Sequence, residues 1–415
     1  MTAVPPPPLP LAGVTVVALE QAVAAPLATR HLGDLGARVI KIERVGEGDF
    51  ARNYDGAVHG LASHFVWLNR GKESVALDLK TDEGLAVARA LVARADVFLQ
   101  NSAPGAAARL GFDAETLRAA HPRLVVVNIS GYGTDGPRRD RKAYDMLIQA
   151  ESGLVSITGT PDAATKTGVP SADIAAGLYA TNSVLAALFR RERTGEGATV
   201  DVSMFDATAE WLGHPMYMQM YAGRQLPRMG LSHASIAPYD AYPTRDGQIL
   251  IGVQNDRGWQ RLVVDVFDRP DLAEHPRLRT NVLRVANRGE CDEAVANETR
   301  RWSTADLDAR LAEAGVPAAQ LNDMQGLIEH PQLRARDRWR EVGTPAGPVR
   351  AILPPMTFSD VELAMGGIPD LGEHTHGVLS ELGYTAADIE HLCATGAAGR
   401  PVPAEPLDAR PAPSA

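Results

Sequence analysis

The sequence predicts an α/β fold in which a parallel sheet is covered by helices on both faces and a smaller α+β module is inserted before the chain end. Three observations carry this reading. Short, continuous apolar runs recur at residues 14–19, 39–42, 75–79, 95–99 and 124–129. Several are separated by helical periodicity, as at 85–92, and continuous apolar strands joined by helical crossovers belong to a sheet buried on both faces. Past Gly223 the pattern changes to short strands and helices, and 415 residues suit two or three domains.

Taken in order, residues 1–10 contain the run Pro5 to Pro8, and residues 398–415 contain Pro401, Pro403, Pro406, Pro411 and Pro413. Both ends are expected to be flexible tails without chemistry, because they have too little apolar content to pack. Residues 171–193 read as a helix: Ile174, Leu178, Ala180, Leu185 and Leu188 keep mostly one face. Arg190 and Arg191 suit the negative end of its dipole, and Gly195 and Gly197 stop it. A second helical stretch runs from Met204 toward Tyr221, with His214-Pro215 as a break. Residues 224–323 offer a strand at 249–253, a helix at 259–267, and helices from Arg288 and Ser303. Strand-like 348–353 and helical 375–382 then suggest a return to the first domain. The expected boundaries are therefore 11–222 and 326–397 for a large domain and 223–325 for a small one.

The net charge of −10 argues against non-specific nucleic-acid or anionic-membrane partners, so an anionic ligand needs a local basic pocket. Cys291 and Cys393 lie too far apart for a disulfide framework or a thiolate zinc site, which fits a reducing compartment. The N-terminus lacks a basic stretch followed by an apolar one, and no later stretch is read as long enough to span a bilayer. The expected location is the cytoplasm.

Gly131-Tyr132-Gly133-Thr134-Asp135-Gly136 matches the dinucleotide fingerprint, but Pro137 and the cluster Arg138, Arg139, Arg141 and Lys142 follow where a helix should begin. A surface loop is the better reading. The cluster itself reads as a solvated face or a phosphate anchor. His374 and His376 do not share a helix face and lack a third ligand, so no metal is expected. There is no G-x-S-x-G elbow. Asp173, in Pro170-Ser171-Ala172-Asp173-Ile174, sits at a helix start. It is a helix-capping acid or, with its pKa lowered by the dipole and its charge retained, an exposed nucleophile. The residues alone leave both open.

From residue 11 to 382 the chain resembles, in order, the class III CoA-transferases, a family that includes formyl-CoA transferase, carnitine CoA-transferase and the α-methylacyl-CoA racemases. The likeness rests on Leu32-Gly33-Asp34-Leu35-Gly36-Ala37-Arg38-Val39-Ile40-Lys41-Ile42-Glu43, on Asn69-Arg70-Gly71-Lys72-Glu73-Ser74 and on Leu77-Asp78-Leu79-Lys80. Pro104-Gly105 with Arg109-Leu110-Gly111, and Arg193-Thr194-Gly195-Glu196-Gly197, complete it. The resemblance implies an interlocked, ring-like homodimer whose subunits have a Rossmann-like large domain, drawn from both chain ends, and a smaller domain between.

The resemblance further implies that Gly168-Val169-Pro170-Ser171-Ala172-Asp173 delivers Asp173 as the nucleophile. CoA contacts fall by position on Val23, Ala24, Arg44, Asn101, Arg109 and Lys142. Val23 stands where the family often has Gln. Tyr144 is expected to support the site by hydrogen bonding and Asp145 by orienting a neighbour. The racemase branch carries His before this Asp; Tyr144 here favours transfer through a covalent carboxylate over two-base proton transfer. The segment His233 to Tyr239 resembles members handling dicarboxylates, so His233 or Arg228 is expected to meet a distal carboxylate, with succinyl-CoA or a similar thioester as donor. CoA is then a substrate and product, with no tightly bound cofactor. The alternatives are a 2-methylacyl-CoA racemase and a non-catalytic CoA- or nucleotide-binding module.

Overall fold

The computed structural model describes residues 7–402. Residues 1–6 and 403–415, which carry most of the expected tails, lie outside the described residues. The chain divides into two compact units. One comprises residues up to 154, 167–213 and from 337 onward; the other comprises 155–166 and 214–336. The second unit thus begins at His214, where the Pro-containing break was read, and it also takes in the short excursion 155–166.

The first unit is built on six parallel strands: β1 Thr15–Leu19, β2 Arg38–Glu43, β3 Lys72–Ala76, β4 Val97–Gln100, β5 Val125–Ser130 and β6 Thr199–Ser203. Their order is β3-β2-β1-β4-β5-β6. Alternate residues feed opposite faces. Val16, Val39, Val97 and Val125 join one buried cluster with helices Ala24–Asp34 and Ser171–Thr194, while Val17, Ile40, Phe98 and Val126 join another with helices Asp82–Ala93, Thr375–Leu382 and Ala386–Thr395. That double burial is why the strands read as continuous apolar runs. The chain order reverses between β1 and β4, and the carboxyl ends of strands at such a switch point are where open α/β sheets bind ligands.

Some expectations change. β3 starts at Lys72, not residue 75, because Lys72 and Ser74 are buried through specific hydrogen bonds that an apolar scan passes over. β6 was not read as a strand, since its Thr-Val-Asp-Val-Ser alternation is that of a half-exposed edge. The start of the C-terminal tail is docked rather than loose: Gly399 N–H donates to Ala76 at 2.9 Å and Val402 N–H to Leu371 at 2.9 Å, with Ala397 and Ala398 buried. Helix Ser171–Thr194 does have the length and apolarity to cross a bilayer, against the sequence expectation. Its buried face packs in the core, and Arg191 pairs with Asp96 at 2.9 Å.

The second unit has its own core. Antiparallel strands Tyr239–Pro243, Gln248–Gly252 and Ala318–Gln320 pack Tyr242, Ile249 and Ile251 against Trp259, Leu262, Val295 and Leu307. The helix expected at 259–267 is an α-turn, Asp256–Gln260, continued by the π-helical segment Arg261–Val266.

Candidate active site

Asp173 lies in the first turn of helix Ser171–Thr194, whose own N-cap, Pro170, provides no side-chain cap. The cap comes from elsewhere. Asp145, first residue of helix Asp145–Glu151, accepts the Ala172 N–H at 2.8 Å and the Asp173 N–H at 3.3 Å on Oδ1. Gln149, fully buried one turn later, donates to Asp145 Oδ2 at 2.6 Å and accepts from the Thr167 N–H at 3.0 Å. A carboxylate is acceptor-only, so three N–H donors suit Asp145. It orients both the start of the helix and the loop leading to it.

The Asp173 side chain is half-buried, and the nearby Ala24 backbone N–H favours its charged form. Burial, and then the Asp145 charge, push its carboxyl up to about 7, with the Ala24 N–H opposing them. This corrects the expectation of a lowered pKa: desolvation and a like charge outweigh the helix terminus. Ala24 opens helix Ala24–Asp34 after the β1 carboxyl end, and Ala22, just before it, holds the left-handed φ of 63°. Such a conformation costs an alanine about 1 kcal/mol and calls for outside support. Asn101, at the β4 end, clamps Gln21 with Oδ1 on its N–H and Nδ2 on its carbonyl, both at 2.9 Å. Asp49 Oδ1 accepts the Ala22 N–H at 3.1 Å. The site thus sits at the β1/β4 switch point.

Helix Ser171–Thr194 reaches Ala24 because Gly177 has no side chain. A Cβ there would lie 2.7 Å from the Ala24 carbonyl oxygen. Tyr54 feels the same charge: burial, then Asp49, Asp173 and Tyr144, raise its hydroxyl to about 12. Its ring makes an edge contact with His64 at 5.5 Å. Sequence reading passed over Tyr54, Gln149 and Asp49, because a lone aromatic, a buried amide and a loop carboxylate show no spacing signal.

The other expected residues divide. Val23 and Ala24 are buried beside Asp173's helix, and Asn101 is engaged with Gln21. Arg44 pairs with Glu47 at 2.6 Å. Arg109 and Lys142 are exposed and carry no ion pair among the described residues, whereas Arg138 and Arg141 share Glu151. Tyr144 is 66% exposed, and its hydroxyl has no hydrogen bond among the described residues, where hydrogen bonding was expected. The 131–136 loop opens no helix. In the second unit, Arg228 donates to the carbonyls of Thr160 and Pro161, both at 3.0 Å, and His233 stacks on Tyr239 at 5.3 Å. No group of three metal-ligating side chains exists among the described residues.

A model for CoA-transferase family III matches residues 11–375. The chain belongs to that family. This CoA-transferase is 36% identical over 387 residues to a succinate–glutarate CoA-transferase of Agrobacterium fabrum, covering 90% of this chain and 96% of the relative. It is 32% identical over 392 residues to the human succinyl-CoA:glutarate CoA-transferase, covering 93% and 89%. A crystal structure of a CAIB/BAIF family protein from Brucella suis superposes with a TM-score of 0.81 at 36% identity, covering 91% of this CoA-transferase and all of that chain.

Proposed function

We propose that this CoA-transferase moves CoA from succinyl-CoA to a dicarboxylate acceptor through covalent chemistry on Asp173. The observation that carries the proposal is the Asp173 carboxylate itself, in the first turn of a helix that packs on Ala24 at the sheet's switch point and whose start is held by Asp145. The succinyl donor and dicarboxylate acceptor are supported by the names of the Agrobacterium and human relatives.

In the first step an Asp173 carboxylate oxygen attacks the thioester carbonyl, the C–S bond breaks and CoA leaves as thiolate, giving a mixed aspartyl–succinyl anhydride. The thiolate then attacks the aspartyl carbonyl and expels succinate, leaving an aspartyl-CoA thioester. The acceptor carboxylate attacks that thioester and releases the thiolate, which finally attacks the acceptor's acyl carbon and frees Asp173. The Ala24 N–H, which favours negative charge on Asp173, is suited to stabilise the oxyanion formed at the aspartyl carbonyl. The exposed cations Arg109 and Lys142 are suited to the CoA phosphates. Incubation with succinyl-CoA, a hydroxylamine quench and peptide mass mapping should find a hydroxamate on Asp173; a label elsewhere, or none with CoA bound, refutes the assignment.

The near-neutral Asp173 carboxyl also suits proton transfer at the α-carbon of a 2-methylacyl-CoA. Deuterium incorporation from solvent would reveal it. A homodimer is supported by the large apolar side chains left exposed on the first unit, Phe189 at 61% and Leu147 at 50% among them. The free thiols Cys291 and Cys393 suit the cytoplasm.

A further inference from the structure

Beneath the site lies a sealed cluster of charges that the chemistry above does not use. Lys41 bonds Asp49 Oδ2 at 2.8 Å and Glu20 Oε1 at 3.3 Å; Lys72 bonds the same Glu20 oxygen at 2.6 Å. All four side chains are buried. Thr29 donates to Glu20, Lys72 donates to Asn69 and the Pro26 carbonyl, and Glu43, itself paired with Arg52, accepts the Asp49 N–H at 2.9 Å. Two carboxylates and two ammonium groups balance, as buried charge requires.

The free oxygen of this cluster is spent on backbone. Asp49 Oδ1 takes the Ala22 N–H at 3.1 Å and the Ala51 N–H at 2.9 Å. Ala22 is the left-handed residue two positions before Ala24, which opens the helix packed on that of Asp173 at Gly177. Ala51 belongs to the turn Phe50–Asn53, which ends directly before Tyr54. One buried carboxylate therefore ties together the loop before Ala24 and the turn before Tyr54.

We propose that Asp49 is a positioning residue for the reaction at Asp173: by accepting the Ala22 and Ala51 N–H groups it fixes the Ala24 donor and the Tyr54 wall around the nucleophile. This rests on Asp173 being the nucleophile. Misplacement of such groups by about 1 Å costs on the order of a hundredfold in rate.

The test compares two charge-balanced double variants, Lys41→Met with Asp49→Asn and Lys41→Met with Asp49→Leu. Both remove one charge of each sign, but only asparagine keeps an oxygen for the two N–H groups. The expected result is a kcat within about threefold of the parent for the asparagine pair and at least roughly tenfold lower for the leucine pair, with CoA affinity the same in both. Equal kcat values in the two variants, or a loss confined to CoA affinity, overturn the proposal. Amide exchange in the parent protein provides a second readout that needs no variant: the Ala22 N–H should be as protected as the β1 amides, and exchange at the rate of an open loop overturns it as well. Absence of a hydroxamate on Asp173 in the parent overturns the nucleophile assignment, and this proposal with it.

Discussion

Replacing Asp145 with asparagine separates the two tasks this residue performs. Asparagine keeps an Oδ1 acceptor for the Ala172 and Asp173 N–H groups, gives up the Oδ2 acceptor of Gln149, and removes the charge that repels the nucleophile. With its carboxyl at about 7, Asp173 is ionised to only about one part in ten at pH 6 and about nine in ten at pH 8, so kcat/KM of the parent should rise about tenfold between them. A carboxyl at the ordinary value of 3.8 would give a flat profile. Asp145 is the second cause after burial, so its removal should lower the midpoint while leaving it above 3.8. At pH 6 the Asp145→Asn variant should then stand closer to its own plateau than the parent does to its own. The assay is kcat/KM for succinyl-CoA from pH 5.5 to 8.5 in one buffer series. A flat parent profile, or an Asp145→Asn profile with an unmoved acid limb, would refute the electrostatic reasoning.

Stability should move the opposite way at Asp173. Its folded value lies above 3.8, so ionisation costs stability; the penalty is absent below pH 3.8 and complete above about 7. Asp173→Asn should therefore be inactive yet more stable at pH 8. The full shift is worth about 4 kcal/mol, trimmed by partial exposure to roughly 1–2, and thermal melts at pH 5 and 8 should show the gain growing with pH. Gly177→Ala should drive the two site helices apart at Ala24, lowering kcat and costing roughly 1–3 kcal/mol in a denaturant titration. Arg52→Ala strands buried Glu43, whose carboxyl Arg52 helps hold down at about 2 against burial, and should cost about 3–5 kcal/mol by the same measurement. Acceptor assays should rank dicarboxylates above monocarboxylates of equal length; the reverse order would remove the dicarboxylate assignment.

Much of the sheet was legible because strands buried on both faces leave unbroken apolar runs, and helix Ser171–Thr194 because its stop signals are glycines with the right spacing. Asp173 was visible as a residue but not as a chemical state. Its pKa depends on Asp145, 28 positions away, and on burial by helices whose packing no local pattern encodes. Asp49 was hidden for the same reason: Lys41, Lys72 and Glu20 sit inside segments that score as ordinary strand ends, and only the parallel pairing of β1, β2 and β3 brings them together. Arg228 is expected at a distal carboxylate from the resemblance of the neighbouring segment, whereas the fold engages its guanidinium with two backbone carbonyls.

Helices Thr375–Leu382 and Ala386–Thr395 cover a sheet face whose strands β1 to β4 are complete by Gln100. During synthesis, Ile40, Val75 and Leu77 emerge more than three hundred residues before Val378, Leu379 and Leu392 can shield them. A ribosome working at ~5–20 residues per second leaves that apolar surface bare for tens of seconds. Chains truncated before residue 375 should keep it bare permanently and be sticky, chaperone-bound polypeptides rather than shortened enzymes.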